Sequence, residues 1–222
     1  TYGIKTDGTF WSWGDNSNGI LGQNTGENAR KSSPTQVPGT TWASVSSNSA
    51  GGTVLAVKTD GTLWSWGENN HGSLAQNNQT KYSSPVQVPG TTWSVVRGGD
   101  SHFGAIKTDG TYWSWGRSYK GALGDGTEAS KSSPVQIPGT TWSKNAVIGY
   151  GQAAVKTDGT LWTWGRNNVG QLGQNSRDTD AHASPTQVPG TTWDNIYSVR
   201  DKGYIATKTD GTLWTWGEDA WG

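Results

Sequence analysis

The stretch Ala56-Val57-Lys58-Thr59-Asp60-Gly61-Thr62-Leu63-Trp64-Ser65-Trp66 decides the fold. Two runs of strand-forming residues flank an Asp-Gly pair, and Asp-Gly favours the positive φ angles of a tight two-residue hairpin turn. In the second strand Thr62, Trp64 and Trp66 share one side, and Leu63 and Ser65 share the other. One side is bulky and the other small, which suits sheets stacked so that a large side fits a neighbour's small one. The hairpin is not unique. Lys-Thr-Asp-Gly-Thr recurs five times, with Asp7, Asp60, Asp109, Asp158 and Asp210 at intervals of 53, 49, 49 and 52 residues. Each copy continues into a pair of indoles: Trp11/Trp13, Trp64/Trp66, Trp113/Trp115, Trp162/Trp164 and Trp214/Trp216.

A second block, Ser-Pro-x-Gln-Val/Ile-Pro-Gly-Thr-Thr-Trp, occurs four times and ends at Trp42, Trp93, Trp142 and Trp193. Its prolines cannot donate to a ladder, which places this strand at a sheet edge. The Pro-Gly pair after it predicts a type II turn. A fourth strand is expected before each hairpin, for example over Ser94–Arg97. No segment has sustained helical periodicity. Length varies only before the Ser-Pro and after the block's Trp, so insertions are hung on a rigid unit.

Four short strands per unit of about 50 residues predict an all-β chain, a β-propeller of four-stranded blades. The sequence units run over 1–53, 54–102, 103–151 and 152–203, with a partial unit at 204–222. On this count the first blade lacks its innermost strand and the last its outer one. The expectation is a fragment of a longer chain, with a five-bladed ring carrying two incomplete blades as the alternative.

Composition agrees with such a fold. Leu, Ile, Val and Phe make up only 31 of the 222 residues, yet there are 15 Trp and the formal net charge is zero. Disorder needs high net charge and few aromatics, so indoles must supply the core instead. Zero net charge speaks against a dedicated nucleic-acid binder. The absence of Cys excludes disulfides and thiolate chemistry. No apolar run approaches the ~20 residues of a membrane-spanning helix.

The repeats resemble the regulator of chromosome condensation family. The resemblance is carried by Asp158-Gly159-Thr160-Leu161-Trp162-Thr163-Trp164-Gly165-Arg166-Asn167-Asn168-Val169-Gly170-Gln171-Leu172-Gly173 and the following Ser184-Pro185, with departures in other copies at Ile20, Ser73, Ala75 and Ala122. It implies a larger ring, usually of seven blades. The founding member is a chromatin-bound exchange factor for a small GTPase, and relatives act as docking platforms. The irregular loops and basic segments on which exchange depends have no counterpart here. The regular Trp-rich copies are more similar to those of bacterial and phage-encoded surface proteins.

Candidate chemistry is sparse. His71, His102 and His182 fall at different phases of the repeat, so no hydrolytic triad is expected. Gly149-Tyr150-Gly151-Gln152-Ala153-Ala154 matches a loose dinucleotide fingerprint, but it leads into a strand where a helix is required. Asp178, Asp180 and His182 alternate in one loop and read as a solvated loop rather than a metal site, as does Asp125-Gly126-Thr127-Glu128. The five turn Asp are structural, because Asp is what such a turn favours. Fourteen Trp recur at fixed positions and read as packing, whereas Trp221 stands alone at a turn. Arg30, Lys31, Lys81, Tyr82, Lys131, Arg177 and His182 gather near the variable loop of successive blades as binding candidates, together with Trp221. No catalytic residue, metal or cofactor is expected.

The function expected is a non-enzymatic structural or docking propeller, displayed on a virion or a secreted cell-surface protein. Its partners would be proteins of an assembly or a surface receptor, and glycans are a further possibility. An intracellular exchange factor or adaptor is one alternative and a lectin the other. Recognition would fall to the loops Thr25–Lys31 and Ser46–Gly52 and their equivalents. Asn78-Gln79-Thr80 fits an N-glycosylation acceptor without fixing a compartment.

Overall fold

A computed structural model describes residues 1–26, 29–48, 52–148, 150–199 and 202–218, with only the backbone described over 145–148. Among the described residues eighteen strands form five antiparallel sheets, and the only helices are single 3₁₀ turns. The three middle sheets have four strands each, laid down in chain order: residues 42–87, 93–137 and 142–187. The first sheet (2–36) and the last (193–217) have three. The second sheet shows the plan. An inner strand Trp42–Ser47 pairs with Thr53–Lys58, then Leu63–Gly67, and the proline-bearing Tyr82–Gln87 lies at the outer edge. Inner strands of successive sheets lie side by side, so the sheets radiate as blades in an arc of a β-propeller.

Blades pack large side to small side. Trp66 of the second blade is fully buried against Phe10, which takes in the first blade the position of Leu63. The same interlock recurs further on, with Trp115 beside Leu63 and Trp164 beside Tyr112. Each interface is therefore an indole set into the small side of the preceding blade, and burying so large a ring makes it the main stabilising contact. The indole N–H also reaches across: Trp66 donates to Ile20 O at 2.9 Å, Trp115 to Ser73 O at 2.9 Å and Trp216 to Gln171 O at 3.0 Å.

The interface between the third and fourth blades departs from this rule. Gln152 donates to Ala122 O at 2.9 Å and to Ser114 Oγ at 2.7 Å, and its carbonyl accepts the Tyr112 hydroxyl. Ala122 O stands where the other blades offer the indole its acceptor. The Trp164 N–H, although buried, is left without a partner.

The hairpin turn differs from the expected two-residue form. Val57 pairs with Leu63, and Gly61 N donates to Lys58 O at 3.0 Å, so three residues form the loop. Gly61 has φ 77°, but Asp60 is not among the positive-φ residues. The physical reason is the Asp60 carboxylate, which accepts from both Thr62 N (2.9 Å) and Thr62 Oγ (2.7 Å). This closes a type I turn followed by a left-handed glycine. Gly61 is held close: a β-carbon there would stand 3.1 Å from the Thr92 backbone. Thr92 itself has φ 66°, an uncommon angle for a β-branched residue, and Thr41, Thr141 and Thr192 repeat it. Two flanking bonds hold it there, Trp93 N to Gly61 O and Thr108 N to Thr92 O. The Pro-Gly turns are as expected, with positive φ at Gly39, Gly90, Gly139 and Gly190.

Candidate functional site

The five copies serve as controls for one another, because a position that changes among near-identical blades is not dictated by the fold. One rim of the arc changes little. It carries the Asp-Gly-Thr turns, and every one is built alike. The Thr hydroxyl donates to the Asp carboxylate and accepts the indole N–H of Trp11, Trp64, Trp113, Trp162 or Trp214. In the same blades a lysine ammonium stands over the rings, as Lys58 does at 4.7 Å from Trp42 and 4.6 Å from Trp64. The Thr hydroxyl bonds hold all five carboxyls, Asp7, Asp60, Asp109, Asp158 and Asp210, below the usual carboxylate range. These carboxylates are satisfied locally, so the ring of five acids is turn chemistry.

The opposite rim diverges. The residue after each Trp-Gly is Asp15, Glu68, Arg117, Arg166 and Glu218 in turn. The acids are engaged: Asp15 with Arg30 at 3.1 Å, Glu68 with Asn70 at 2.7 Å and Glu218 with Lys202 at 2.7 Å. Arg117 and Arg166 instead flank tyrosines. The Tyr119 and Tyr150 rings meet edge to face at 5.0 Å, Arg117 lies 5.3 Å from the first, and Arg166 lies 5.7 Å from the second. The other copies carry Ser17, Asn70, Asn168 and Ala220 at the Tyr119 position.

A second divergent region faces the arc's axis. A cleft of about 390 Å³ opens between inner strands and is lined by Ser46, Arg97, Lys144, Asn195 and Tyr197 among others. Lys144 pairs with Asp194 at 2.8 Å, so Arg97 brings the one cation there without an ion pair among the described residues.

The binding candidates from the sequence lie on the divergent rim, most of them tied to a local partner. Arg30 meets Asp15, as above. Lys31 opens the first outer strand. Lys81 donates to Asn18 of the preceding blade at 2.6 Å. The Tyr82 oxygen accepts from Asn78 at 3.2 Å. Lys131 pairs with Asp125 at 3.2 Å and His182 with Asp178 at 2.8 Å. Arg177 lines a shallow cleft with Trp216 and Glu218. Trp221 lies outside the described residues, as do Gly149 and parts of both proposed recognition loops. Among the described residues no three His, Asp or Glu gather as a metal would need. His102 is buried, and its pKa is pushed down to about 4 by burial, which outweighs a backbone hydrogen bond to Gly151. Gly151–Lys156 is a strand, so the glycine fingerprint beside it has no helix to open.

Arg97, Arg117, Tyr119, Lys144, Tyr150 and Arg166 are not among the binding candidates that the sequence singles out. The signal was present, because aligning the copies on Trp-Gly exposes the switch from acid to arginine at once.

Comparison with known proteins places this geometry. The regulator of chromosome condensation (RCC1) repeat model matches residues 7–57, 60–106, 109–153 and 158–199. Zebrafish (Danio rerio) protein RCC2 homolog is 37% identical over 78 residues, 35% of this chain and 15% of that protein. Human protein RCC2 is 36% identical over 87 residues, 38% of this chain and 16% of that protein. The mitochondrial RCC1 domain-containing protein RUG3 of Arabidopsis thaliana is 30% identical over 89 residues, 40% of this chain and 20% of that one. The matches thus span a fifth or less of each curated relative. Human WBSCR16 superposes with a TM-score of 0.84 at 20% identity, over 98% of this chain and 59% of that one. Prp20p of Saccharomyces cerevisiae, described with its binding to Gsp1p and histones, superposes with a TM-score of 0.79 at 16% identity, over 97% and 55%. These likenesses show the fold. The chain belongs to the RCC1 repeat family.

Proposed function

We propose that this RCC1-repeat chain is a non-enzymatic docking module, whose near-identical blades hold a divergent rim and axis against another protein. The observation that carries this reading is where the copies differ. The hairpins, the indole interlocks and one whole rim are repeated almost unchanged, while charge and aromatic content vary on the opposite rim and along the inner strands. Packing explains the first set and leaves the second without a structural cause. Protein partners are also what the yeast neighbour is described with. An intracellular setting is the reading favoured here, one relative being designated mitochondrial. The virion or secreted display expected from the regular repeats finds no support among the relatives, and neither does glycan binding.

Photo-cross-linking in the producing cells tests this reading. A cross-linking side chain at Tyr82 or Lys120, on the divergent rim, should give a discrete protein adduct. The same side chain at Thr59, on the turn rim, should give none. Absence of any adduct from the divergent rim would overturn the docking reading.

A further inference from the structure

The junction between the third and fourth blades carries the largest departure from the repeat. Three positions change together there. The residue after Trp-Gly becomes Arg117 and Arg166, where the other copies have Asp15, Glu68 and Glu218. The residue two further on becomes Tyr119. In the loop after the inner strand, the residue whose carbonyl accepts from Arg166 N is Tyr150, where the second and third blades have Gly52 and Ser101. All four side chains come from two adjacent interior blades. The cluster therefore lies away from the first and last sheets.

The charges there are unbalanced. The acids at the equivalent positions each have a partner, and so do four rim cations, Arg30, Lys81, Lys131 and Lys202. Among the described residues neither Arg117 nor Arg166 forms an ion pair. Each guanidinium lies instead within 6 Å of the Tyr150 ring centroid, at 5.9 and 5.7 Å. Lys120 adds a cation one residue from Tyr119. Tyr119 is 40% exposed, although its apolar ring is the kind of group a monomer tends to cover. An exposed Tyr beside half-buried Arg and Tyr side chains has the composition of a binding hot spot. The ring contacts orient the guanidiniums and leave their N–H groups free to meet carboxylates two at a time.

We propose that Arg117, Tyr119, Tyr150 and Arg166 form the docking site for an acidic peptide segment of the partner protein. This inference rests on the docking reading and names the chemistry of its partner. Two arginines and a neighbouring lysine match a short run of Asp or Glu. With the chain's zero net charge, they are too few to follow an extended phosphate backbone.

The test uses the intact chain and a fluorescein-labelled peptide of alternating Glu and Ser, with Gln–Ser and Lys–Ser peptides as controls. Anisotropy should show binding of the Glu–Ser peptide alone. Arg117→Glu, Arg166→Glu and Tyr119→Asn install residue types that sister blades carry at or near these positions, so the fold should persist, and a thermal melt checks that it does. Each arginine reversal should weaken binding about tenfold, roughly one charge-assisted contact, and Tyr119→Asn by less. Lys5→Glu on the opposite rim should bind as the unaltered chain does. Equal binding of Glu–Ser and Gln–Ser peptides would overturn the proposal, as would an equal loss in Lys5→Glu. Displacement of the peptide by millimolar inorganic phosphate would also overturn it, because the site would then belong to phosphate. Any of these results alongside rim adducts in the cross-linking experiment would sink this inference and leave the docking reading standing.

Discussion

The two rims of the arc are made by the same repeat and behave as different materials. On the turn rim every turn Asp is answered within two residues, the first indole of every Trp-x-Trp couplet donates to a threonine, and one blade could stand for any other. On the opposite rim the equivalent position runs acid, acid, arginine, arginine, acid, and its partners differ each time. The turn rim shows what the fold requires. The divergent rim shows what remains after that requirement has been met. The contrast can be tested at four places.

The largest expected effect is on the repeated interlock. Trp115→Ala removes a fully buried indole and its bond to Ser73 O, and should cost about 4 kcal/mol in denaturant unfolding. A loss under about 1 kcal/mol would mean that the interlock is not what holds the blades together.

Next comes pH. His102, near the divergent rim, titrates at about 4 when folded against an ordinary 6.5. Its depressed value means that the unfolded chain binds the extra proton first, so stability falls as pH drops from 6.5 to about 4. Integrated, this is on the order of 3 kcal/mol. The turn Asp carboxyls are also lowered from 3.8, so their stabilisation is present above 3.8 and is lost only below it. The His102 window should therefore lie above, and separate from, the window of the carboxylates. In His102→Thr, which installs the second blade's Thr53, only the upper window should vanish. A melt series unchanged between pH 6.5 and 4 in the unaltered chain would contradict this assignment.

Smaller again is the strained threonine. Thr92→Gly relieves a left-handed β-branched residue at some cost in chain entropy, and should raise stability by about 0.5–1 kcal/mol. Any loss would show that the threonine side chain contributes more than its strain costs. Smallest of all, Arg117→Glu should leave unfolding within about 0.5 kcal/mol of the parent while weakening the acidic peptide. A large stability change there would make the arginine structural and erase the difference between the rims.

The repeat structure was legible because it is written in residues with few alternative uses. Asp-Gly, Trp-x-Trp-Gly and Ser-Pro fixed the hairpins, the large and small sides and the proline-bearing edge. The turn geometry was misjudged by one residue. An Asp-Gly pair allows two loop lengths, and what selects between them is the pair of Asp60–Thr62 bonds, which local propensity does not weigh. The divergent rim was half read. Arg30, Lys81 and Lys131 drew attention as charges in loops, yet each has a partner from a loop 15 residues away, an adjoining blade or a nearby turn. Arg117 and Arg166 sit inside the most regular motif and so looked like part of it. Tyr119 and Tyr150 are 31 residues apart in sequence, and only the stacking of two blades brings their rings together.

The substitution of Gln152 for an apolar residue gives the blades an order. The sister blades have Val54, Phe103 and Tyr204 at this position, and among the described residues it meets a tyrosine hydroxyl here alone, from Tyr112. Genes with near-identical repeats lose and gain copies by unequal recombination. If the fourth blade were deleted, Tyr204 would be brought against Tyr112, setting two hydroxyls in a space fitted to one amide. Such a rearranged array would carry a mismatch at its seam, so this one pair of residues distinguishes the order in which the blades are strung.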